Sequence, residues 1–284
     1  MANLKTLRKR IATVRSTQQI TRAMKMVAAA KLRRAQEGAE RARPYTQKLA
    51  EMFGAVVAEL GEDAHPLLAR RDERRADLLV VTSDRGLCGG YNANLLRLAQ
   101  GFVVHRPETQ VSLVVTGRKG IDFYKRRSVS LLGERQNIMA TPAIEVAREL
   151  AGMLAARFAE GETDAVYILY SRFRSAISQV PTLTPLLPVA RPEGGAPAVE
   201  YIFEPPRATL LAQLLPRYVE AILMQVILES IASEHGSRMT AMESATNNAA
   251  EMIDRLTLSM NRARQATITT ELMEIVSGAE ALKG

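Results

Sequence analysis

The chain has 284 residues, 47% hydrophobic and 24% charged, which fits a folded protein with a core and excludes a low-complexity or disordered chain. One cysteine, Cys88, excludes an internal disulfide, and with only three histidines a His/Cys zinc site is not expected. The N-terminus shows no short apolar signal core, and no uninterrupted apolar run reaches the ~18 residues of a membrane span.

The net charge of +8 is unevenly placed. Up to Gln36 the basic residues are Lys5, Arg8, Lys9, Arg10, Arg15, Arg22, Lys25, Lys31, Arg33 and Arg34, with no acid among them. From Arg207 onward acids slightly outnumber bases. The basic segment is also a predicted helix. Leu4, Leu7, Ile11 and Val14 step by three and four, a coiled-coil stripe. Gln18 and Thr21 weaken it, and Met24, Ala28, Leu32, Ala35, Ala39 and Ala42 resume it with smaller residues. Pro44 predicts a kink or a restart, Leu49, Met52, Val56 and Leu60 continue the stripe, and Gly61 is the expected end.

Three apolar runs follow, at residues 77–83, 110–117 and 164–173, and each reads as a buried parallel strand. Helical stretches separate them at 92–104, 117–125 and from Thr141, the expected cap, with Pro142 in the first turn. This alternation predicts a three-layer α/β domain. "VPTLTPLLPV" and "PAVEYIFEPP" are expected to add antiparallel edge strands.

Pro205 and Pro206 mark the start of a last helix, and Pro216 a kink or second start. Beyond Arg217 there is no proline, and up to Ser277 the only glycine is Gly236. A helix of that length would extend roughly 90 Å at about 1.5 Å per residue. Its stripe is rich in Ala, Thr and Met, which makes a thin, close-packed seam. The predicted fold is therefore α/β, with a long antiparallel coiled coil of the N- and C-terminal helices and an inserted Rossmann-like domain. The boundaries are 1–60 for the first helix, 75–204 for the inserted domain and 206–284 for the last helix.

The glycine-rich stretch "SDRGLCGGYNANLL", residues 83–96, lies between a strand and a helix, where an α/β fold can hold a phosphate. Its glycines, Gly86, Gly89 and Gly90, fit neither a P-loop nor a dinucleotide fingerprint, and no Lys-Ser/Thr pair follows. The expected reading is a set of tight turns beside a partly buried Cys88, without a cofactor or a catalytic centre. Charge alone leaves the basic helix three readings: a solvated face, a nucleic-acid surface, or a docking surface for an acidic protein. The region lacks aromatic interleaving and any recognisable nucleic-acid module.

Four stretches carry a family resemblance: "ITRAMKMVAAAKLRRAQ", "SDRGLCGGYN", "EHGSRMTAMESATNNA" and "NRARQATITTELMEIVSGAEAL". In this order they closely resemble the γ subunit of F-type ATP synthase, over both termini and the start of the middle domain. The resemblance implies a non-catalytic rotor shaft, one copy per complex. Its terminal helices would rise through a hexamer of α and β subunits, with the inserted domain beside ε and its foot on the membrane c-ring. It implies a location on the cytoplasmic face of the bacterial inner membrane, with protein partners and no nucleic acid. By the same resemblance Met24, Lys25, Arg238, Arg264, Gln265, Thr269 and Glu271 are expected at β contacts. Cys88 is expected near β or ε, and Tyr201 and Glu204 at the c-ring foot. The chain has no room for the middle-domain insertion of plant and cyanobacterial relatives, and with one cysteine it lacks the redox pair of the plant form. The rival readings are an α/β enzyme with coiled-coil arms and a basic coiled-coil adaptor for nucleic acid.

Overall fold

The computed structural model describes residues 4–58, 60–61, 64–127, 129, 131–191 and 203–281. The elements run α1 (Leu4–Val57), a helical turn (Pro66–Leu68), β1 (Arg75–Val81), α2 (Tyr91–Val104), β2 (Gln110–Thr116), α3 (Arg118–Lys125), β3 (Gly133–Arg135), α4 (Ala143–Ala159), β4 (Ala165–Ser175), β5 (Ser178–Leu187) and α5 (Arg207–Ala281). The chain divides into two compact units, one of Met1–Val27 with Met239–Gly284 and one of Ala28–Arg238.

The larger unit is built on one sheet of order β3-β2-β1-β4-β5. β1 pairs in parallel with β2 and β4, β2 in parallel with β3, and β4 antiparallel with β5. β1 is the central strand, and its alternation divides the core. Leu78 and Val80 face α2 and α3, with Leu95, Ala99 and Ile121. Leu79 and Val81 face α4 and the 28–57 and 207–238 segments of α1 and α5, with Leu154, Phe158, Phe53, Leu211 and Leu215. Both sides are apolar because a parallel strand covered on both faces has no wet side. Phe53 of α1 stacks on Tyr218 of α5 with ring centroids 4.8 Å apart, and aromatic pairs of this kind strengthen packing beyond area alone.

In the smaller unit the two helices run antiparallel. Thr21 meets Thr246 at 2.8 Å, and Lys25 meets Glu243 at 2.6 Å, so the partner number falls as the α1 number rises. Leu7, Ile11 and Thr21 on α1 and Met242 and Ala249 on α5 are buried. The stripe read from the sequence is thus the seam, and its weak point at Thr21 is a hydroxyl pair rather than a gap.

Several local expectations change. Neither Pro44 nor Pro216 breaks its helix, since both lie inside continuous elements. A proline removes one backbone bond, and packing on the core outweighs that local cost. α1 ends at Val57, ahead of Gly61. Thr141 does not cap α4; its hydroxyl donates to the carbonyl of Asn137, and Pro142 holds the cap position. β3 went unpredicted because three residues carry no readable period. "VPTLTPLLPV" supplies β5, whereas residues 197–202 of "PAVEYIFEPP" lie outside the described residues. One 18-residue window of α5 reaches a mean hydropathy of 1.3 and so passes a membrane-span test by composition. Leu211, Leu215, Val219, Leu223 and Ile227 of that helix are buried in the core.

Gly117 is a tight backbone position. Its φ is +84°, and a Cβ there would lie 2.2 Å from the Thr82 carbonyl oxygen. Gly117→Ala is therefore expected to cost about 3 kcal/mol or more, through both left-handed strain and the backbone clash. A urea midpoint unchanged from the parent would contradict this.

Candidate functional site

In an open α/β sheet a ligand is expected where the strand order reverses, outside the C-terminal ends of the strands. Here that point is the end of β1, with β2 on one side and β4 on the other. The glycine loop, residues 83–90, forms its floor.

The loop is shaped by its own polar groups. The Ser83 amide donates to Asn92 Oδ1 at 3.0 Å, the Asn92 Nδ2 amide donates to Ser83 Oγ at 2.7 Å, and the Ser83 hydroxyl donates to the Arg85 carbonyl at 2.7 Å. Leu87 and Gly89 take positive φ values of 61° and 56°, which turn the strand sharply into α2. Asp84 Oδ1 accepts from the amides of Arg118 at 3.1 Å and Asn137 at 2.9 Å, so it joins the ends of three strands.

The first amides of α3, which a phosphate could use, are already taken. At the start of α3, Arg118 donates to Asp84, Lys119 to the Ser83 carbonyl at 3.0 Å, and Gly120 to Thr82 Oγ1 at 2.9 Å. At the start of α2, Tyr91 donates to the Cys88 carbonyl and Asn94 to the Gly90 carbonyl. A helix N-terminus attracts anions through its free N–H groups, and the first three of α3 are engaged from within the chain.

The crevice itself is filled by α5. Ser237 donates to the Cys88 carbonyl at 2.7 Å, Ser233 to the Ser171 carbonyl of β4 at 2.7 Å, and Tyr91 to the Ser230 carbonyl at 3.3 Å. Arg238 Nη2 donates to the carbonyls of Arg85 at 3.3 Å and Gly86 at 3.2 Å, and to Glu234 Oε1 at 2.5 Å. Gly236 lies under the β4–β5 hairpin: a Cβ there would stand 3.1 Å from Gln179 Nε2 and 3.3 Å from the Ala176 carbonyl. The glycine therefore allows the hairpin to approach the helix closely.

Burial controls the titratable groups of this clamp. Glu234 is 1% exposed, and burial pushes its carboxyl up to about 7 even against the pull of Arg238. His235 is pushed down to about 4 by burial and by the charges of Arg238 and Lys31. Cys88 is 2% exposed, and burial raises its thiol, which leaves it protonated and inert.

The residues singled out from the sequence fall in different places. Arg238 is buried, with its guanidinium on the loop carbonyls, and Cys88 lies beneath the same loop. Lys25 is half-buried and paired with Glu243, and Met24 beside it is half-buried. Arg264, Gln265, Thr269 and Glu271 are exposed on α5, where the Thr269 hydroxyl donates back to the Gln265 carbonyl at 2.9 Å. From 264 to 279 every residue of α5 is exposed, including Ile268, Leu272, Met273, Ile275 and Val276. Glu204 is exposed in the turn before α5, and Tyr201 lies outside the described residues. No cluster of potential metal ligands occurs among the described residues. Glu234 and Ser237 were missed by sequence reasoning. The four-residue spacing from Glu234 to Arg238 was a visible helix-pair signal, but nothing in it marked the pair as buried.

A protein-family model described as ATP synthase matches residues 3–282. The chain is 51% identical to the ATP synthase gamma chain of Geobacter sp. (strain M21) and 51% identical to that of Moorella thermoacetica, in each case over the whole of both chains. The chain belongs to the ATP synthase γ family. Among solved structures it resembles a chain of the central stalk/c-ring structure of the Tetrahymena thermophila mitochondrial ATP synthase. That match has 26% identity and a TM-score of 0.62, and covers 80% of this chain and 99% of that one. A chain of the Euglena gracilis mitochondrial ATP synthase shares the fold at 20% identity, with a TM-score of 0.71, 98% of this chain covered and 94% of that one.

The two opposed shifts in the clamp make a pH signature. The histidine of the unfolded chain protonates near 6.5 but the folded one only near 4. Its contribution to stability is therefore present above 6.5 and lost as pH falls toward 4. The Glu234 contribution is full below about 4.5 and is lost as pH rises through about 7. Between these limits the two slopes oppose each other. His235→Gln removes the first, so the variant should lose stability on going from pH 5 to 7, by up to roughly 2 kcal/mol relative to the parent trend. Urea midpoints at the two pH values check this, and parallel trends in parent and variant would refute it.

Proposed function

We propose that this chain is the central-stalk rotor subunit of an F-type ATP synthase, transmitting torque between a membrane c-ring and a catalytic α3β3 hexamer. It is a non-catalytic subunit, and it couples ion flow to ATP synthesis or hydrolysis by turning. The observation that carries the reading is the end of α5. Five large apolar residues from Ile268 to Val276 are exposed there, and none of the described residues covers them. A helix that is apolar outside its own seam calls for a surrounding protein sheath.

The mechanism follows from asymmetry. A hexamer alone presents three equivalent β sites. One off-axis helix pair touches each differently, and a ligand with different affinities for two conformations shifts their equilibrium. Taking a site from 1:99 to 99:1 needs about 5.5 kcal/mol of differential contact. Two or three apolar side chains buried in one state and exposed in the other supply that, at about 1.5–3 kcal/mol each.

In this reading Met24, Lys25, Arg264, Gln265, Thr269 and Glu271 meet β subunits. The ten bases up to Gln36 face an acidic protein partner rather than nucleic acid, a reading supported by the lack of any recognisable nucleic-acid module in that stretch of sequence. Arg238 acts from inside the chain, and Cys88 lies under a loop near β or ε. Tyr201 and Glu204 belong to the c-ring foot. One copy serves each complex, attached peripherally at the cytoplasmic face of a bacterial inner membrane, with H+ or Na+ as coupling ion.

Co-expression with α and β tests this. The full chain should co-purify with both, and deleting residues 262–284 should lower ATP hydrolysis by the complex several-fold. Failure to enter an α/β complex, or ATP turnover by the isolated chain, would overturn the reading.

A further inference from the structure

Two features lie outside what the rotor reading requires: a fully buried acid, Glu234, and a charged contact made to backbone rather than to a partner side chain. We propose that Glu234 is a positioning residue for torque transfer: its carboxylate aims Arg238 at the carbonyls of Arg85 and Gly86, and loss of its charge releases the glycine loop from α5. The proposal rests on the rotor reading.

The geometry is specific. One nitrogen, Arg238 Nη2, serves Glu234 at 2.5 Å and the two loop carbonyls at 3.2 and 3.3 Å. Nη1 reaches His235 Nδ1 at 3.4 Å. Without the carboxylate, the long Arg side chain has one charged partner fewer and many rotamers to choose from. The loop it holds ends β1, the central strand, so load on the sheet reaches α5 here. The other ties at this point, from Ser237, Ser233 and Tyr91, are neutral hydrogen bonds. A net contribution of about 1 kcal/mol is usual for such bonds, and more where a charge takes part.

The groups facing Glu234 come from every element around it. Arg238 and His235 lie on its own helix, Asp84 and Cys88 on the loop, Tyr91 on α2 and Lys31 on α1. Asp84 opposes its charge, whereas Arg238 and Lys31 favour it. His235 stays neutral at working pH and adds no charge. A proton on Glu234 thus weakens the grip on Arg238. The grip should be full at pH 8 and reduced at pH 6.

The test uses the assembled complex in membrane vesicles. Two quantities are read at pH 6, 7 and 8: ions moved per ATP hydrolysed, and hydrogen-exchange protection of the loop amides at 83–90. In the parent, both should decline from pH 8 to 6. Glu234→Gln should lower loop protection about tenfold at pH 8, as expected on losing a charge-assisted hydrogen bond, and should make both quantities flat with pH. Equal coupling in parent and variant at every pH would overturn the proposal, as would lost coupling with unchanged loop protection. If Glu234→Gln does not assemble, Arg238→Lys keeps the ion pair but cannot span to both carbonyls. It should then lower loop protection while retaining the pH dependence, and unchanged protection would overturn the proposal. If the parent complex moves no ions on ATP hydrolysis, the rotor reading itself fails, and loop protection still decides whether Glu234 positions Arg238.

Discussion

Helix α5 closes the crevice at the end of β1 from within the chain, and the rest of the molecule's behaviour follows from that closure. An α/β sheet with this strand order leaves a cleft beside its central strand, and in many proteins a nucleotide fills it. Here Ser233, Ser237 and Arg238 of α5 take the backbone positions a ligand would need. The first amides of α3, which could attract a phosphate, are bonded to Ser83, Thr82 and Asp84. The domain has the architecture of a nucleotide-binding unit and the chemistry of a mounting block.

Closure of this kind differs from ordinary helix packing in its polarity. Elsewhere α5 meets the domain through Leu211, Leu215, Val219 and Leu223, which gain free energy by burial but can slide by small amounts. At residues 230–238 the contacts are directional. A hydrogen bond weakens steeply when misaligned, so a row of them resists rotation of the helix against the sheet. Apolar area supplies affinity in this unit, and polar contacts supply stiffness. The cost appears in Glu234 and His235, whose carboxyl and imidazole are pushed in opposite directions by the same burial. In the smaller unit, Thr21 with Thr246 and Lys25 with Glu243 show the same preference for directional pairs over a broad leucine seam.

Much of the fold was legible because its signals are periodic. The runs around Leu78, Val114 and Ile168 are too apolar for surface strands, and the three-four stripe from Leu7 through Ile11 forms the observed seam. What stayed hidden depends on tertiary context. Pro44 and Pro216 are strong local breakers, yet packing on both sides carries each helix through them. The glycine loop was read as unsuited to a P-loop, on spacing alone. The reason it cannot serve lies 150 residues away, in Arg238 and Ser237. The four-residue spacing of Glu234 and Arg238 carried no sign of burial, which comes from tertiary packing beside the glycine loop. The family resemblance rested on motifs at both termini and at the glycine loop. At the glycine loop and Arg238 those motifs make directional contacts, which constrain the residue more than general hydrophobicity does.

The central claim is that the chain turns as a body inside a stationary hexamer, and direct observation of that turning tests it best. Ile177, at the tip of the β4–β5 hairpin, is 81% exposed, whereas the native Cys88 is 2% exposed. A cysteine introduced by Ile177→Cys would therefore take a bead or fluorophore selectively. With α and β fixed to a surface and ATP supplied, the account predicts stepwise rotation of the marker in one direction, stopping when ATP is withdrawn. A marker that stays stationary while the same complexes hydrolyse ATP would contradict it.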